Sequence, residues 1–470
     1  MASIDLTQNK TELKVLLSPP MARQFERRVT GTNMADPGLG YVARACEQAR
    51  ANTTLLSWNT NLNHEAFRRR LLELRPDIVG IKVFTTMFRD CYETLLCVRE
   101  TLPDAITLIG GPHPSASRPE DLFVEFDGLL DFAIAGDGER GIAALVKQVH
   151  IAGGKPPPAM LSDIPGLVYK VGERVQRNEP CLDAELDDLA PMDWSLQQPA
   201  WFGSSHGVDH TSIGTLIMDS RGCPGQCSFC MCSRINGSKA RHRRLKLLRD
   251  EIDQLVRKYG VRVLVFTGNA LLSDVEYLHE LCEWLIAFNA PLKWTCTGAA
   301  YNYNLRNAEL LSLMRRAGCT LIHFGIESGN PDVRKRIGKP ESLEECTEVV
   351  NLAVKSGIRP ACYFMFGFPD ETVREMDDTI HYAFSLPYYS VSFDICLPLP
   401  GTSSYHAVCK REGIERIDWA TYDFASPKLL PCKASIRQVH HKHFEARLLR
   451  KVFAKSRFAR SVYRLVHSRE

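Results

Sequence analysis

Residues 221–230 read Arg-Gly-Cys-Pro-Gly-Gln-Cys-Ser-Phe-Cys, which places Cys223, Cys227 and Cys230 in a Cys-x-x-x-Cys-x-x-Cys pattern. Thiolates are the ligands that iron–sulfur clusters take, and a four-iron cluster normally takes four of them. Three thiolates would leave one iron open to a ligand that is not protein. A zinc site would usually present paired Cys-x-x-Cys units or add histidines, whereas the next thiol, Cys232, follows Cys230 by only two residues. We therefore predict a 4Fe-4S cluster, with structural zinc as the alternative.

The composition is that of a folded protein with more than one domain. The chain has 470 residues, of which 44% are hydrophobic and 24% charged. No apolar run reaches the length of a membrane span, and residues 1–14 are polar, unlike a secretory signal. The sixteen cysteines are scattered through apolar segments, where reduced, buried thiols are expected. These features predict a cytoplasmic protein.

The N-terminal part alternates short apolar segments with amphipathic ones. Strands are predicted at 13–17, 53–58, 78–83, 106–109 and 129–134, and helices at 40–50, 64–75, 87–101, 118–126 and 140–150. Continuous apolar strands separated by helices predict a doubly wound parallel sheet, which binds ligands beyond the carboxyl ends of its strands. Glycine-rich turns at 110–114 and 136–139 fall at those ends and would let the backbone approach a flat ligand. An α/β, Rossmann-like domain is thus predicted over residues 1–155.

The rest of the chain carries a second strand–helix series. A Gly-Gly-Lys-Pro-Pro-Pro segment at 153–158 predicts a boundary, followed by a linker and hairpin over 156–205. Further strands are predicted at 215–219, 262–266, 293–297, 320–325, 361–366 and 391–396. Six strand–helix repeats predict a partial (β/α)6 TIM barrel over 206–410, with its chemistry at the strand C-termini. Residues 411–470 are predicted to form a small, basic, helical C-terminal cap.

Two family resemblances follow from these motifs. The Cys-x-x-x-Cys-x-aromatic-Cys pattern, with Phe229 as its aromatic residue, resembles the radical S-adenosylmethionine (SAM) superfamily. The N-terminal turns resemble the cobalamin-binding domain that precedes the radical SAM domain in one subgroup. The resemblance implies three cofactors, namely a 4Fe-4S cluster, SAM and cobalamin. The Asp-x-His-x-x-Gly signature of some cobalamin proteins is absent, so cobalamin would lack a histidine ligand from that motif; a domain that serves only as a scaffold is the alternative.

The resemblance also implies cofactor-binding residues. For SAM these are Asn269, Glu327, Ser328, and Gly367 with Asp370 or Glu371, while Arg243 fits the basic patch that follows the cluster loop. For cobalamin they are Gly110, Gly111, His113, Gly136 and Gly138. Two strand ends depart from the family pattern. Thr-Gly-Asn at 267–269 stands where relatives often carry acidic residues, and Gly-Ala-Ala at 298–300 stands where many carry an arginine. No amino-acid general acid or base is indicated.

The implied activity is that of a cobalamin-dependent radical SAM enzyme. Such an enzyme would methylate an unactivated carbon of a small-molecule, natural-product or lipid substrate through a 5′-deoxyadenosyl radical and methylcobalamin. An external donor of the flavodoxin or ferredoxin type would supply electrons. A non-methylating cyclase or hydroxylase of the porphyrin-ring-forming kind is the first alternative, and a non-catalytic cobalamin or iron–sulfur sensor is the second.

The C-terminal tail is strongly basic. Residues 433–470 hold eleven Lys or Arg against two Glu, and Phe444, Leu448, Val452, Ala459 and Val462 recur at near-helical spacing. A helix that caps the barrel and a helix that lies on an anionic membrane both fit this pattern. Contact with nucleic acid is disfavoured, because no RNA-binding module is recognisable.

Overall fold

The computed structural model describes residues 12–21, 35–56, 63–182, 185–196, 200–201, 212–297, 302–424, 427–455 and 463. Two seven-stranded sheets and a two-stranded ribbon organise these residues. Within the described ranges, no helix is both long and apolar enough to cross a membrane.

The first sheet contains β1 (Lys14–Ser18), β2 (Asn52–Leu55), β3 (Ile78–Lys82), β4 (Ile106–Gly110), β5 (Phe132–Ile134), β6 (Leu167–Val171) and β7 (Arg174–Arg177). Its helices are α1 (Pro37–Gln48), α2 (His64–Leu74), α3 (Phe88–Thr101), α4 (Pro112–Ala116), α5 (Pro119–Glu125) and α6 (Gly138–Ala152). The strand order is β2-β1-β3-β4-β5-β6-β7. The first five strands are parallel, and β6 and β7 are added antiparallel.

Both faces of this sheet are buried, which explains why its strands are continuously apolar. Leu16 and Val79 face one hydrophobic core, whereas Val15 and Ile78 face another on the opposite side. The predicted doubly wound domain is therefore confirmed. The hairpin that the sequence placed in the linker is β6–β7, and its pairing with β5 carries the sheet past residue 155.

The second part contains β8 (Ala200–Trp201), β9 (Ile213–Ile217), β10 (Ser220–Arg221), β11 (Arg241–His242), β12 (Val263–Phe266), β13 (Lys293–Thr297), β14 (Cys319–Glu327), β15 (Arg359–Phe366) and β16 (Ser390–Ile395). Its helices are α7 (Cys232–Asn236), α8 (Leu245–Tyr259), α9 (Val275–Phe288), α10 (Ala308–Arg316), α11 (Pro331–Ile337), α12 (Leu343–Lys355), α13 (Val373–Ser385), α14 (Ser403–Glu412) and α15 (Ile436–Lys455). Strands β9, β12, β13, β14, β15 and β16 pair in parallel and in chain order. This is the predicted partial barrel, and its C-terminal strand ends lie on one side.

The segments after the barrel join the two parts. Tyr405 and Val408 of α14, together with Trp419, belong to the hydrophobic core of the first sheet. Helix α15 covers the edge strand β16, where His443 Nε2 lies 3.0 Å from Phe393 O and Arg450 Nη1 donates to Val391 O at 3.4 Å. Because an uncovered edge strand exposes unpaired backbone groups, α15 acts as a cap on the open side of the barrel.

Candidate active site

The cysteine loop, residues 222–231, lies between β10 and α7 at the C-terminal end of β9. Gly222 adopts a φ of 84°, and a Cβ atom there would lie 1.9 Å from Lys239 O. Only glycine fits this position. The loop is fastened by backbone hydrogen bonds from Cys223 N to Gly237 O (3.1 Å) and from Ser228 N to Ile337 O (3.1 Å). These bonds hold the loop against α7 and α11.

The chemistry of the donor set fits an iron–sulfur cluster. Cys223, Cys227 and Cys230 are free thiols with at least part of their surface exposed. Burial raises the pKa of Cys227 to about 11, and the nearby ammonium of Lys339 opposes that rise. Thiolate ligands give an iron–sulfur cluster a negative charge, and the nearby Lys339 ammonium suits such a cluster because it offsets that charge. Among the described residues, no three His, Cys, Asp or Glu side chains are gathered as a site for a single metal ion.

Lys339 binds the end of β14, and its charge acts on the cysteine loop. Its Nζ donates to Gly325 O at 2.7 Å and lies 3.6 Å from Glu327 Oε1. Burial raises the pKa of Glu327, and the charge of Lys339 limits the increase. The sequence analysis missed Lys339, because its Gly-Lys-Pro context reads as an ordinary turn.

Two further strand ends reach the cysteine loop or the residue that follows it. The amide Nδ2 of Asn269, after β12, donates to Sγ of Cys232, the first residue of α7, at 2.9 Å. The ring of Phe229 packs on Phe368, after β15, with 5.3 Å between their centroids. Asn269, Glu327 and the turn that contains Gly367 therefore surround the cysteine loop, as a shared cofactor site requires.

Glu371 shapes the turn after β15. This buried side chain accepts hydrogen bonds through Oε2 from Gly367 N (2.6 Å) and Phe368 N (3.0 Å). Burial raises the pKa of Glu371 to about 8. Gly367 has a φ of 88°, so glycine is favoured there. Glu371 thus supports the turn from beneath, and a direct contact with a cofactor is not indicated.

The side chains of three predicted cofactor-binding residues bind protein or lie in solvent. Ser328 is fully buried, and its Oγ hydrogen-bonds to Thr379 Oγ1 at 3.0 Å. Arg243 is fully buried in an ion pair with Glu251. The side chain of Asp370 is 63% exposed and lies 3.8 Å from Lys433. No contact of these side chains with SAM is indicated.

A cavity of about 630 Å³ lies between the two parts of the chain. The first part contributes backbone at Gly110, Gly111, Gly136 and Gly138, and the barrel contributes Leu216, Met218, Thr267 and Asn269. A Cβ atom at Gly110 would meet only Ile134 O, at 3.9 Å, so a side chain there would extend into open space. A wall built of backbone, beyond the strand ends of a doubly wound sheet, fits a large flat cofactor.

His113, a predicted cobalamin contact, is not among the residues that line the cavity. Helix α4 begins at Pro112, and the imidazole packs among aromatic rings of the core of the first sheet. The ring is fully buried, with Nε2 3.0 Å from Glu125 Oε2 and Nδ1 3.1 Å from Thr85 Oγ1. The cavity lining instead includes Lys82, which the sequence analysis missed and which pairs with Asp36 at 2.7 Å.

A buried group of four charges, here called the ion cluster, joins the two parts beside the cavity. It comprises Asp137 and Glu139 from the first part and Arg221 and Arg241 from the second. Arg221 Nη2 lies 2.5 Å from Glu139 Oε1, Arg221 Nη1 lies 3.1 Å from Asp137 Oδ1, and Arg241 Nη1 lies 2.9 Å from Asp137 Oδ2. Burial would raise the pKa of Glu139, but Arg221 lowers it below its usual value. Because Arg221 precedes the cysteine loop, the ion cluster anchors that loop to the first part.

Comparisons with known proteins agree with this architecture. The chain matches the B12 binding domain over residues 27–146 and the radical SAM superfamily over residues 217–383. An uncharacterized methyltransferase of Pyrococcus horikoshii is 27% identical over 424 residues, which cover 88% of this chain and 87% of the relative. The anaerobic magnesium-protoporphyrin IX monomethyl ester cyclase of Cereibacter sphaeroides is 25% identical, over 79% of this chain and 59% of the cyclase.

A solved structure shows the same arrangement of domains. The radical SAM methyltransferase TsrM from Kitasatospora setae, with cobalamin and a 4Fe-4S cluster bound, superposes with a TM-score of 0.67 at 18% identity. The superposition covers 92% of this chain and 82% of that structure. The fold and the two matched domains define a radical SAM enzyme. The chain carries both the B12 binding domain and the radical SAM domain of such enzymes, and its cofactors are a 4Fe-4S cluster, SAM and cobalamin.

The open wall of the cavity gives a testable prediction for cobalamin. Gly110→Leu is expected to weaken cobalamin binding at least about ten-fold, or about 1.4 kcal/mol, because the new side chain enters the space that the corrin needs. Anaerobic titration with cobalamin, followed by absorption spectroscopy, measures the affinity. Gly154→Leu is the control, because a Cβ atom there has no neighbour within 4 Å and lies outside this cavity. Equal binding by both variants would contradict the assignment of the cavity.

Proposed function

We propose that this enzyme is a cobalamin-dependent methyltransferase that acts on an unactivated carbon of a small-molecule, natural-product or lipid substrate. The observation that carries the proposal is the shared cavity, which both the glycine turns of the first part and the strand ends of the barrel line. When bound, the cluster with SAM supplies hydrogen abstraction and cobalamin supplies the methyl group. Because Asn269 lines this cavity and also contacts Cys232 beside the cysteine loop, the cavity would let one substrate carbon reach both cofactors.

The side chains divide these tasks in our proposal. Cys223, Cys227 and Cys230 hold the cluster, and the Lys339 ammonium offsets its negative charge. Asn269, Glu327 and the backbone at Gly367 contact SAM beside the cysteine loop. Gly110, Gly111, Gly136 and Gly138 admit the corrin. The apolar side chains Leu216 and Met218 exclude water from the space between the two cofactors.

A cyclase or hydroxylase is the second candidate, because the Cereibacter cyclase is 25% identical to this chain. Two comparisons favour methyl transfer. The Pyrococcus relative is named a methyltransferase, and the match spans most of both chains, whereas the match spans 59% of the cyclase. Electrons would come from an external donor of the flavodoxin or ferredoxin type.

The products of SAM distinguish these functions. The reconstituted holoenzyme is incubated anaerobically with reductant, deuteromethyl SAM and a small-molecule and lipid extract. A methyltransferase is expected to release both 5′-deoxyadenosine and S-adenosylhomocysteine and to transfer the deuterated methyl group to an extract component, which mass spectrometry detects. Deoxyadenosine without S-adenosylhomocysteine would support the cyclase or hydroxylase instead.

A further inference from the structure

Helix α15 has two different apolar faces. The inner face contains Val439, Ala446 and Phe453, which are buried in the main hydrophobic core of the barrel. His443 and Arg450, between them in the sequence, bind the backbone of β16. This face accounts for the capping function of the helix.

The apolar positions that the sequence analysis identified lie on the other face. Phe444, Leu448 and Val452 are 66%, 49% and 43% exposed. Their spacing of four residues places them in one row along the helix. These three residues therefore do not pack on the barrel, and Ala459 and Val462 lie outside the described residues. The helix caps the barrel without using this row.

Basic side chains accompany the exposed row. Arg437, Arg447 and Lys451 are also exposed on α15. Glu445 is the single acidic residue in the segment 436–455, and its carboxylate pairs with Lys442 at 2.8 Å. Lys442 also pairs with Asp377 of α13 at 2.6 Å. The outer face of α15, defined as Phe444, Leu448, Val452, Arg447 and Lys451, is therefore apolar along its centre and positively charged beside it.

We propose that the outer face of α15 docks the enzyme on an anionic lipid bilayer. Apolar side chains of this size enter the boundary between headgroups and acyl chains, and flanking Lys and Arg attract anionic headgroups. The combination of a cationic border with an apolar row matches a negatively charged, amphipathic surface. Nucleic acid would match the positive charge but not the apolar row.

The position of α15 gives the docking a structural consequence. A Cβ atom at Gly367 would lie 3.6 Å from Val439 Cγ1, so the buried face of the helix touches the turn beside the cysteine loop. The same helix covers β16, the last strand of the barrel. Docking would hold this side of the barrel at the lipid surface. The inference goes beyond the proposed methyl transfer and does not depend on it.

Vesicle flotation tests the proposal with the full-length holoenzyme. We expect flotation with phosphatidylserine-containing vesicles in 0.1 M salt, where the Debye length is about 10 Å, and loss of most binding near 1 M salt, where it is about 3 Å. Phe444→Glu combined with Leu448→Glu should lower the partition coefficient at least about ten-fold, because it places two anions in the apolar row. Arg447→Gln combined with Lys451→Gln should lower it about ten-fold or more, and only with anionic vesicles.

Val124→Glu combined with Ile151→Glu is the matched control. These two side chains, 58% and 64% exposed, lie on the first part of the chain, and the variant should float like the unaltered protein. Flotation of the α15 variants to the same extent as the unaltered protein would overturn the proposal, and so would the absence of flotation by the unaltered protein. So would a dimer in sedimentation analysis that Phe444→Glu with Leu448→Glu dissociates, because the row would then be a subunit interface. Because flotation needs no turnover, failure here leaves the methyl-transfer proposal intact.

Discussion

Alanine at Cys223, Cys227 or Cys230 is expected to abolish the 4Fe-4S cluster and to reduce 5′-deoxyadenosine formation to background. Each variant removes one of three thiolates from a cluster that needs all three to keep one iron free for SAM. The unaltered protein should contain about four iron and about four sulfide per chain after anaerobic reconstitution. Iron and sulfide analysis, together with the absorption spectrum, measures cluster content, and chromatography measures deoxyadenosine.

Cys232→Ala is the matched control, since Cys232 lies in the same loop region. Its Sγ accepts a hydrogen bond from Asn269 Nδ2 at 2.9 Å, and its backbone N donates to Cys230 Sγ at 3.4 Å. The backbone bond survives the substitution, so iron and sulfide content should stay unchanged. SAM affinity should change, because Asn269 loses its thiol partner. Full cluster content in any of the three ligand variants, or its loss in Cys232→Ala, would contradict the assignment.

The strands were predictable because their environment leaves a direct trace in the sequence. A parallel sheet that is buried on both faces needs continuous apolar segments, and Ile78–Lys82 and Ile106–Gly110 show this pattern clearly. The glycine turns were predictable for the same reason, because Gly110 is the last residue of β4 and Gly136 lies two residues after the end of β5. The cavity position then follows from the topology of the sheet.

Side-chain direction at the ends of elements was not predictable. His113 and Gly111 are two residues apart, yet the cavity lining includes Gly111 whereas the imidazole of His113 is in the core. Helix α15 shows the same limit, because its sequence contains one apolar row with a spacing of four residues and a second, Val439, Ala446 and Phe453, with a spacing of seven. The row that ends at Phe453 packs on the barrel because it faces β16 and α13. Periodicity indicates that a face is apolar, but contacts that are distant in sequence decide which face is buried.

The ion cluster was missed because its partners are far apart in the sequence. Glu139 and Arg221 are 82 residues apart, and the Gly-Asp-Gly-Glu turn was interpreted as a cofactor contact. The turn does line the cavity, but its two carboxylates also bind the arginines that flank the cysteine loop. The sequence alone does not show this second role, because the carboxylates and the arginines meet only when both domains are folded.

Glu139→Gln is expected to destabilise the protein by about 3 kcal/mol or more, because removing one partner of a buried ion pair typically costs about 3–5 kcal/mol. The substitution keeps the size of the side chain but leaves the buried guanidinium of Arg221 without its bidentate partner. Cobalamin retention should also fall, since Arg221 and Glu139 both line the cavity. Urea unfolding measures the change in stability, and the absorption spectrum of the purified protein measures bound cobalamin.

A double variant and a surface control separate this effect from a general loss of charge. Glu139→Gln combined with Arg221→Met removes both members of the pair, so its destabilisation should be smaller than the sum of the single effects, with a coupling of about 0.5–3 kcal/mol. Asp188→Asn breaks the pair between Asp188 and Arg140, which has an N–O distance of 2.7 Å and whose side chains are 61% and 47% exposed. Exposed pairs contribute about 0–1 kcal/mol, so this control should change little. Additive effects in the double variant would show that Glu139 and Arg221 do not act as one unit, and the cysteine loop would then need another anchor to the first domain.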